Sequence, residues 1–480
     1  MNRKMSLDRR TFLRAGTLGV LAGGAALAAC SRANPPAVST TMTAAVTDID
    51  LGGGVIVPTW AWNGQVPAKE IRLQRGQTLR IMLANDLPEP STIHWHGLAI
   101  PNDMDGVPVL TQQAVAPGST FLYEFVVPDS GTYWAHPHFG SQLDRGLYAP
   151  VIIEDPADGA DYDDELTVVV DDWLDGTGTD PNKVFETLRR TGMEPMEPGG
   201  PRVTPSMPLG EDGGDVSYPY FLINGRVPAD PQVVEYRPGQ RIRLRIINAG
   251  GDTAFRVGLP GIPMTVTHTD GFPVVPRQTD SVLLGMGERA DAIVTMGDLS
   301  VPVVAKAYGK DGYAQLNLRT NNAALPGGDA AVSRFAAALA GQIPLDTATL
   351  EPTEADTLPT AAPTQTLDLR LGGPVDPYTW MINDKVYDPE SPGLPVNPAQ
   401  RTRIRYINES MMFHPMHLHG HTFQVQGAQG PRARKDTVLV PPLATVVADF
   451  DTDNPGNWIT HCHNEYHLEA GMATYLQYAP

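Results

Sequence analysis

The sequence has almost no cysteine. Cys30 and Cys462 are the only two in 480 residues, which excludes a fold stapled by several disulfides. Long apolar stretches with a helical period are also few, while Gly (47) and Pro (45) are abundant. That combination disfavours helix bundles and favours β-sandwiches joined by turns. Basic charge is scarce: 35 Lys and Arg face 54 Asp and Glu, a net charge of −19. A surface of that sign argues against nucleic acid as a partner and suits the attraction of cations, besides serving solubility. The apolar run from Ala15 to Ala29 is too short and too rich in Gly and Ala for a stable membrane span.

That run belongs to an address. Arg9-Arg10-Thr11-Phe12-Leu13-Arg14 reads as a twin-arginine export signal, with Asp8 where Ser or Thr is usual. The run ends Leu27-Ala28-Ala29-Cys30, which resembles a bacterial lipobox. The expectation is a signal peptide over residues 1–30, lipid on Cys30, and residence on the extracytoplasmic face of the cell envelope, held to the membrane only by that lipid. Ordinary cleavage leaving a free Cys30 is the alternative. Removing residues 1–29 takes away five basic residues and one acid, moving the charge from −19 to −23. With Cys30 lipidated and Cys462 on a metal, no disulfide forms although the compartment is oxidising.

What is present concentrates near the C-terminus. In His461-Cys462-His463-Asn464-Glu465-Tyr466-His467-Leu468-Glu469-Ala470-Gly471-Met472, the residues Cys462, His467 and Met472 follow at steps of five. One thiolate, two imidazoles and a thioether are the ligands of a blue copper site, and His414 upstream can supply the second imidazole. In an extended segment His461 and His463 point away from the Cys462 side, so they can bind other metals while one covalent bridge joins both sites. Three further clusters are His94-Trp95-His96-Gly97, His136-Pro137-His138 and His414-Pro415-Met416-His417-Leu418-His419.

Internal repeats set the domain plan. Asn63-Gly64-Gln65-Val66-Pro67, Asn224-Gly225-Arg226-Val227-Pro228 and Asn383-Asp384-Lys385-Val386-Tyr387 each precede a strand-like block of alternating polar and apolar residues, and the blocks end at Asn85, Asn248 and Asn408. At matching distances beyond those asparagines the first unit has His94 and His96, the third His417 and His419, and the second Val257 and Leu259. Aligning the closing segments sets His136 on His461 and His138 on His463, with Pro137, Gln142 and Leu147 in place of Cys462, His467 and Met472. The plan is all-β: three sandwich domains at 44–157, 158–322 and 366–480, joined to the signal and by a 323–365 linker. The first and third hold a metal cluster between them, and the second binds none. Residues 175–217, with Met193, Met196 and Met207, read as a surface excursion of the second domain. Residues 322–365 hold one helical stretch around Ser333–Leu339 and run along the surface.

With all four motifs present and in order, residues 45–480 resemble the multicopper oxidases, and most closely the actinobacterial membrane-anchored members linked to copper resistance. The resemblance implies cupredoxin-like Greek-key domains and four coppers per chain. The type 1 copper takes His414, Cys462, His467 and axial Met472, and the type 2 copper takes His94 and His417. The type 3 pair takes His96, His136, His138, His419, His461 and His463. Zinc could occupy some of these sites but could not carry electrons. An axial thioether implies a moderate rather than high type 1 potential. Asp105 and Glu465 stand where similar enzymes relay protons, a turn residue and a histidine-orienting partner being the structural alternatives. Glu469 is expected at the surface or near substrate.

His268 is expected to be structural, and His421, which has no ligand slot, to support the neighbouring histidines. Met411, Met412 and Met416 crowd His414 and could receive cuprous ion, although methionine commonly just fills a core. The activity implied is one-electron oxidation of substrates coupled to four-electron reduction of O2 to water by a monomeric enzyme. The reductants are cuprous or ferrous ions, in copper tolerance, or phenols and aromatic amines in the manner of laccases. A copper-binding protein without turnover is the reading from another class; such relatives lose ligands, and this chain keeps every one.

Overall fold

A computed structural model describes residues 37–158, 161–193, 202–325, 328–339 and 341–479. The twin-arginine motif, Cys30 and Met196 lie outside them.

Six sheets make three two-layer sandwiches. In the first, four strands in the order Val55–Trp62, Val38–Gly52, Thr78–Asn85, Thr120–Val126 face four in the order Ile71–Gln74, Ala149–Glu154, Gly131–His136, His94–His96. The second has two six-stranded sheets, and the third a six- and a five-stranded sheet. The repeats read from sequence are repeats of topology. Each domain opens with a long strand lying parallel to the block that ends in asparagine: Val38–Gly52 with Thr78–Asn85, Asp164–Trp173 with Arg241–Asn248, Gln365–Val375 with Arg401–Asn408.

The two asparagine repeats explain themselves locally. Asn63, Asn224 and Asn383 have φ of 52°, 52° and 55°, and the following Gly64, Gly225 and Asp384 are also positive. This is the two-residue hairpin turn that matches strand twist, and Asn, Asp and Gly tolerate it best. Each asparagine then accepts a backbone N–H from the long strand: Thr43 at 2.9 Å, Val169 at 2.8 Å and Arg370 at 2.9 Å. At the block ends, Asn85, Asn248 and Asn408 donate to buried backbone carbonyls, among them Val115, Leu284 and Met412. These buried amides have few other ways to satisfy both groups.

The connections depart from expectation at two points. Helix Pro181–Thr191, capped by Asp180, begins the 175–217 excursion, but its far end is no surface loop: Leu209 and Val216 are buried. The 322–365 linker contains the expected helix, Gly328–Leu339, whose Val332, Phe335 and Leu339 pack on Val304. Its next segment adds Leu345–Asp346 as an edge strand beside Val282–Leu284.

Candidate metal centre

In the first domain, antiparallel pairing places His94 opposite His136; in the third, it places His417 opposite His461. Strand alternation sends Trp95 and Cys462 into their domain cores and leaves the flanking imidazoles facing the other domain. Three trios of imidazole nitrogens lie within 4.8 Å of one another: His94, His96 and His417; His96, His136 and His463; His138, His419 and His461. The eight rings sent by domains 1 and 3 thus meet in one buried chamber.

The rings are set for metal. Nδ1 of His94, His136, His417 and His461 donates to the carbonyls of Asp105 (2.9 Å), Pro137 (2.7 Å), Asp436 (2.8 Å) and Cys462 (2.8 Å). That fixes the tautomer and leaves each Nε2 a lone pair. Nε2 of His94, His136 and His417 has no protein partner although buried, and a polar atom left so is costly unless something binds it. Burial first, then the neighbouring imidazoles, holds His96, His136, His138, His417, His419 and His463 well below the usual histidine range. Burial likewise brings His461 down to about 3. Neutral imidazole is the ligand form, so the donor set fits copper.

The fourth trio is His414, Cys462 and His467. Cys462 Sγ lies 3.6 Å from His414 Nδ1 and 3.5 Å from His467 Nδ1, and the two nitrogens are 3.1 Å apart. Met472, fully buried, closes the loop: its N–H donates to the His467 carbonyl, and its carbonyl accepts from Cys462 N–H. Burial works against charge on His467, yet the Cys462 sulfur and the Asp215 carboxylate together raise it to about 10.

The supporting shell holds residues that spacing did not reveal. Asp215, from the 175–217 excursion, accepts from His467 Nε2 at 3.0 Å and from the Tyr378 hydroxyl at 2.5 Å. The Trp380 ring lies 4.1 Å from that of His467, and both His414 and His467 have zero exposure. At the other chamber, Asp436 accepts from His96 Nε2 at 3.0 Å and is gripped by Arg289 of the second domain at 2.7 and 2.6 Å. Arg289 Nε also donates to the Thr132 carbonyl of the first domain. The second domain, which sends no imidazole to the chamber, therefore ties together the two that do.

Asp105 and Glu465 both stand beside the imidazole chamber. Asp105 accepts from His419 Nδ1 at 3.0 Å and has an oxygen 3.2 Å from His94 Nδ1. Burial raises its pKa, and His94 opposes the shift. Glu465, Glu469, His136, His138, His461 and His463 line one narrow cavity. Glu465 is raised well above the usual carboxyl range by burial and then by Glu469, while burial pushes Glu469 up to about 7. Half-buried Glu469 thus lines both this cavity and an adjoining cleft of about 520 Å³.

The remaining residues fill structural places. His268 pairs with Asp158 at 2.7 Å, and His421 bonds the Tyr478 hydroxyl at 2.6 Å and the His419 carbonyl at 3.1 Å. Met412 and Met416 belong to the apolar core, Met416 directly opposite Cys462.

The chain matches family models described as multicopper oxidase over residues 43–158, 164–308 and 360–480. It is 43% identical to multicopper oxidase MmcO of Mycobacterium tuberculosis, over 98% of either chain. This chain belongs to the multicopper oxidase family. It is an oxidase that uses copper, with O2 as acceptor and small reducing substrates or metal ions as donors. Copper resistance protein A of Escherichia coli is 27% identical, over 98% of either chain. The fold is similar to that of Fet3p, a multicopper oxidase that functions in iron import, with a TM-score of 0.78, 24% identity, and coverage of 93% of this chain and 91% of that one.

Proposed function

We propose that this multicopper oxidase holds four coppers per chain and oxidises cuprous or ferrous ions in copper tolerance. In this reading the type 1 ligands are His414, Cys462, His467 and Met472. The type 2 ligands are His94 and His417, and the type 3 ligands are His96, His136, His138, His419, His461 and His463. One observation carries it: Cys462 meets two imidazoles on one face of its strand while its neighbours His461 and His463 reach two different histidine trios on the other. Bound copper supplies the one-electron chemistry at the first site and the four-electron delivery to O2 at the cluster.

The chain's own residues do the rest. Asp215 orients His467 through Nε2, and Asp436 orients His96 in the same way. Asp105 and Glu465 hold protons for the cluster, because burial lifts both carboxyls toward the pH at which they can donate. Zero exposure of both type 1 imidazoles, with a carboxylate on one of them, favours a small cation over a bulky phenol as reductant. The relative named for copper resistance supports the same role. A laccase-like phenol oxidase is the second reading. Steady-state rates on Cu(I), Fe(II) and a phenol separate the two: a phenol outpacing both ions would defeat the first.

The sequence of residues 1–30 supports export by the twin-arginine route, a lipid on Cys30 and an extracytoplasmic address for a monomeric enzyme. Metabolic labelling with a radioactive fatty acid, lost in Cys30→Ser, tests the anchor.

A further inference from the structure

Two routes out of His467 lead back to one carboxylate. The short helix Glu465–Glu469 is capped by Asn464, whose Oδ1 accepts the N–H groups of Tyr466 at 3.0 Å and His467 at 3.3 Å. Asn464 Nδ2 donates at 2.6 Å to Oδ1 of Asp252, a residue of the second domain. At the ring, His467 Nε2 donates to Asp215, and the Asp215 N–H donates to the same Asp252 Oδ1 at 3.0 Å. The other oxygen, Oδ2, accepts from Val216 N–H at 3.0 Å and from Lys310 Nζ at 2.6 Å.

Asp252 has zero exposure, and its four donors use the four lone-pair sites of a carboxylate. Lys310 supplies the matching charge, and its Nζ also donates to Thr253 Oγ1 at 2.9 Å. A helix of five residues is too short to be stable by itself, so the place of His467 depends on what its cap grips. Asp215 lies on neither a strand nor a helix, so its carboxylate is placed by what its backbone grips. Both grip Asp252. The approach is close, since a Cβ on Gly214, whose φ is 114°, would run into Asp252 Oδ2.

We propose that Asp252 is a positioning residue for the type 1 copper. It keeps the Asp215 carboxylate on His467 Nε2 and so holds the reduction potential down, because negative charge beside a ligand favours the oxidised metal. This role rests on the type 1 assignment of His467 and Cys462. A parent enzyme without a blue band would refute that assignment; a blue parent whose potential ignores Asp252 would refute this role alone.

The test is redox titration of the copper-loaded, full-chain enzyme, followed at the blue band. Asp252→Asn should raise the potential, in the direction of Asp215→Asn. Asp215→Asn/Asp252→Asn should shift it no further than Asp215→Asn alone, because Asp252 acts through that contact. Gly214→Ala keeps every charge but drives the loop off Asp252, and should also raise the potential. That variant decides the matter should Asp252→Asn fail to fold. Asn224→Ala, which loosens the same domain at its bonds to Val169 and Thr167, should leave the potential where it is. An unchanged potential in Asp252→Asn or Gly214→Ala overturns the proposal. Shifts that sum in the double variant would mark a direct effect of charge and overturn it too, as would an equal shift in Asn224→Ala.

Discussion

Replacing Arg289 by Met should unseat the chamber from a domain that holds no ligand. The guanidinium and the Asp436 carboxylate are both at zero exposure and joined at 2.7 and 2.6 Å. Removing the cation leaves Asp436 buried beside Asp270, whose carboxylate already accepts its backbone N–H. Breaking a buried pair on one side costs about 3–5 kcal/mol, because the remaining charge is uncompensated. The bonds to the carbonyls of Thr132 and Gly287 add about 1 kcal/mol each. Asp436 is then driven to take a proton, which weakens its hold on His96 Nε2. Denaturant unfolding of the copper-free protein should show the loss. In the copper-loaded protein the electron paramagnetic resonance signal of the histidine chamber should change, while the blue band from Cys462 stays. Arg289→Met/Asp436→Asn, which removes both charges, should recover about half of the loss. A single variant costing under about 1 kcal/mol, or a double variant no better than the single, would show that the Arg289–Asp436 pair does not hold the chamber.

Asp215→Asn removes a negative charge from His467 Nε2 and should raise the type 1 reduction potential with little change in the blue band; redox titration checks it, and an unchanged potential counts against the contact. Asn224→Ala loses bonds to Val169 N–H and the Thr167 carbonyl at a residue with φ of 52°, and should cost about 2–3 kcal/mol in denaturant unfolding. Glu465 donates only while protonated, and burial with Glu469 nearby raises its pKa. Oxygen uptake should therefore fall as pH rises through that raised value, and Glu465→Gln should be slow at every pH with the alkaline fall flattened. An unaltered pH profile in Glu465→Gln would remove it from the proton path.

The convergence of the imidazoles and of Cys462 with His414 and His467 was legible because it is fixed by short-range geometry. A period of two puts His461 and His463 on one face and Cys462 on the other, and the shared registers of His94/His136 and His417/His461 follow from repeats visible in the asparagine blocks. The same period puts Met416 on the face of His414, directly opposite Cys462. Asp215, Asp436 and Arg289 were not legible. Each reaches its histidine or its partner from another domain or a long excursion, and no spacing in the chain encodes that meeting.

In the proposed function everything turns on Cys462 joining two copper sites. Elemental analysis with absorption spectroscopy, on the parent and on Cys462→Ser, tests it most directly. The parent should hold four coppers per chain and be blue; the variant should hold three, lose the blue band and oxidise no substrate. A variant that stays blue or keeps its turnover would contradict the account.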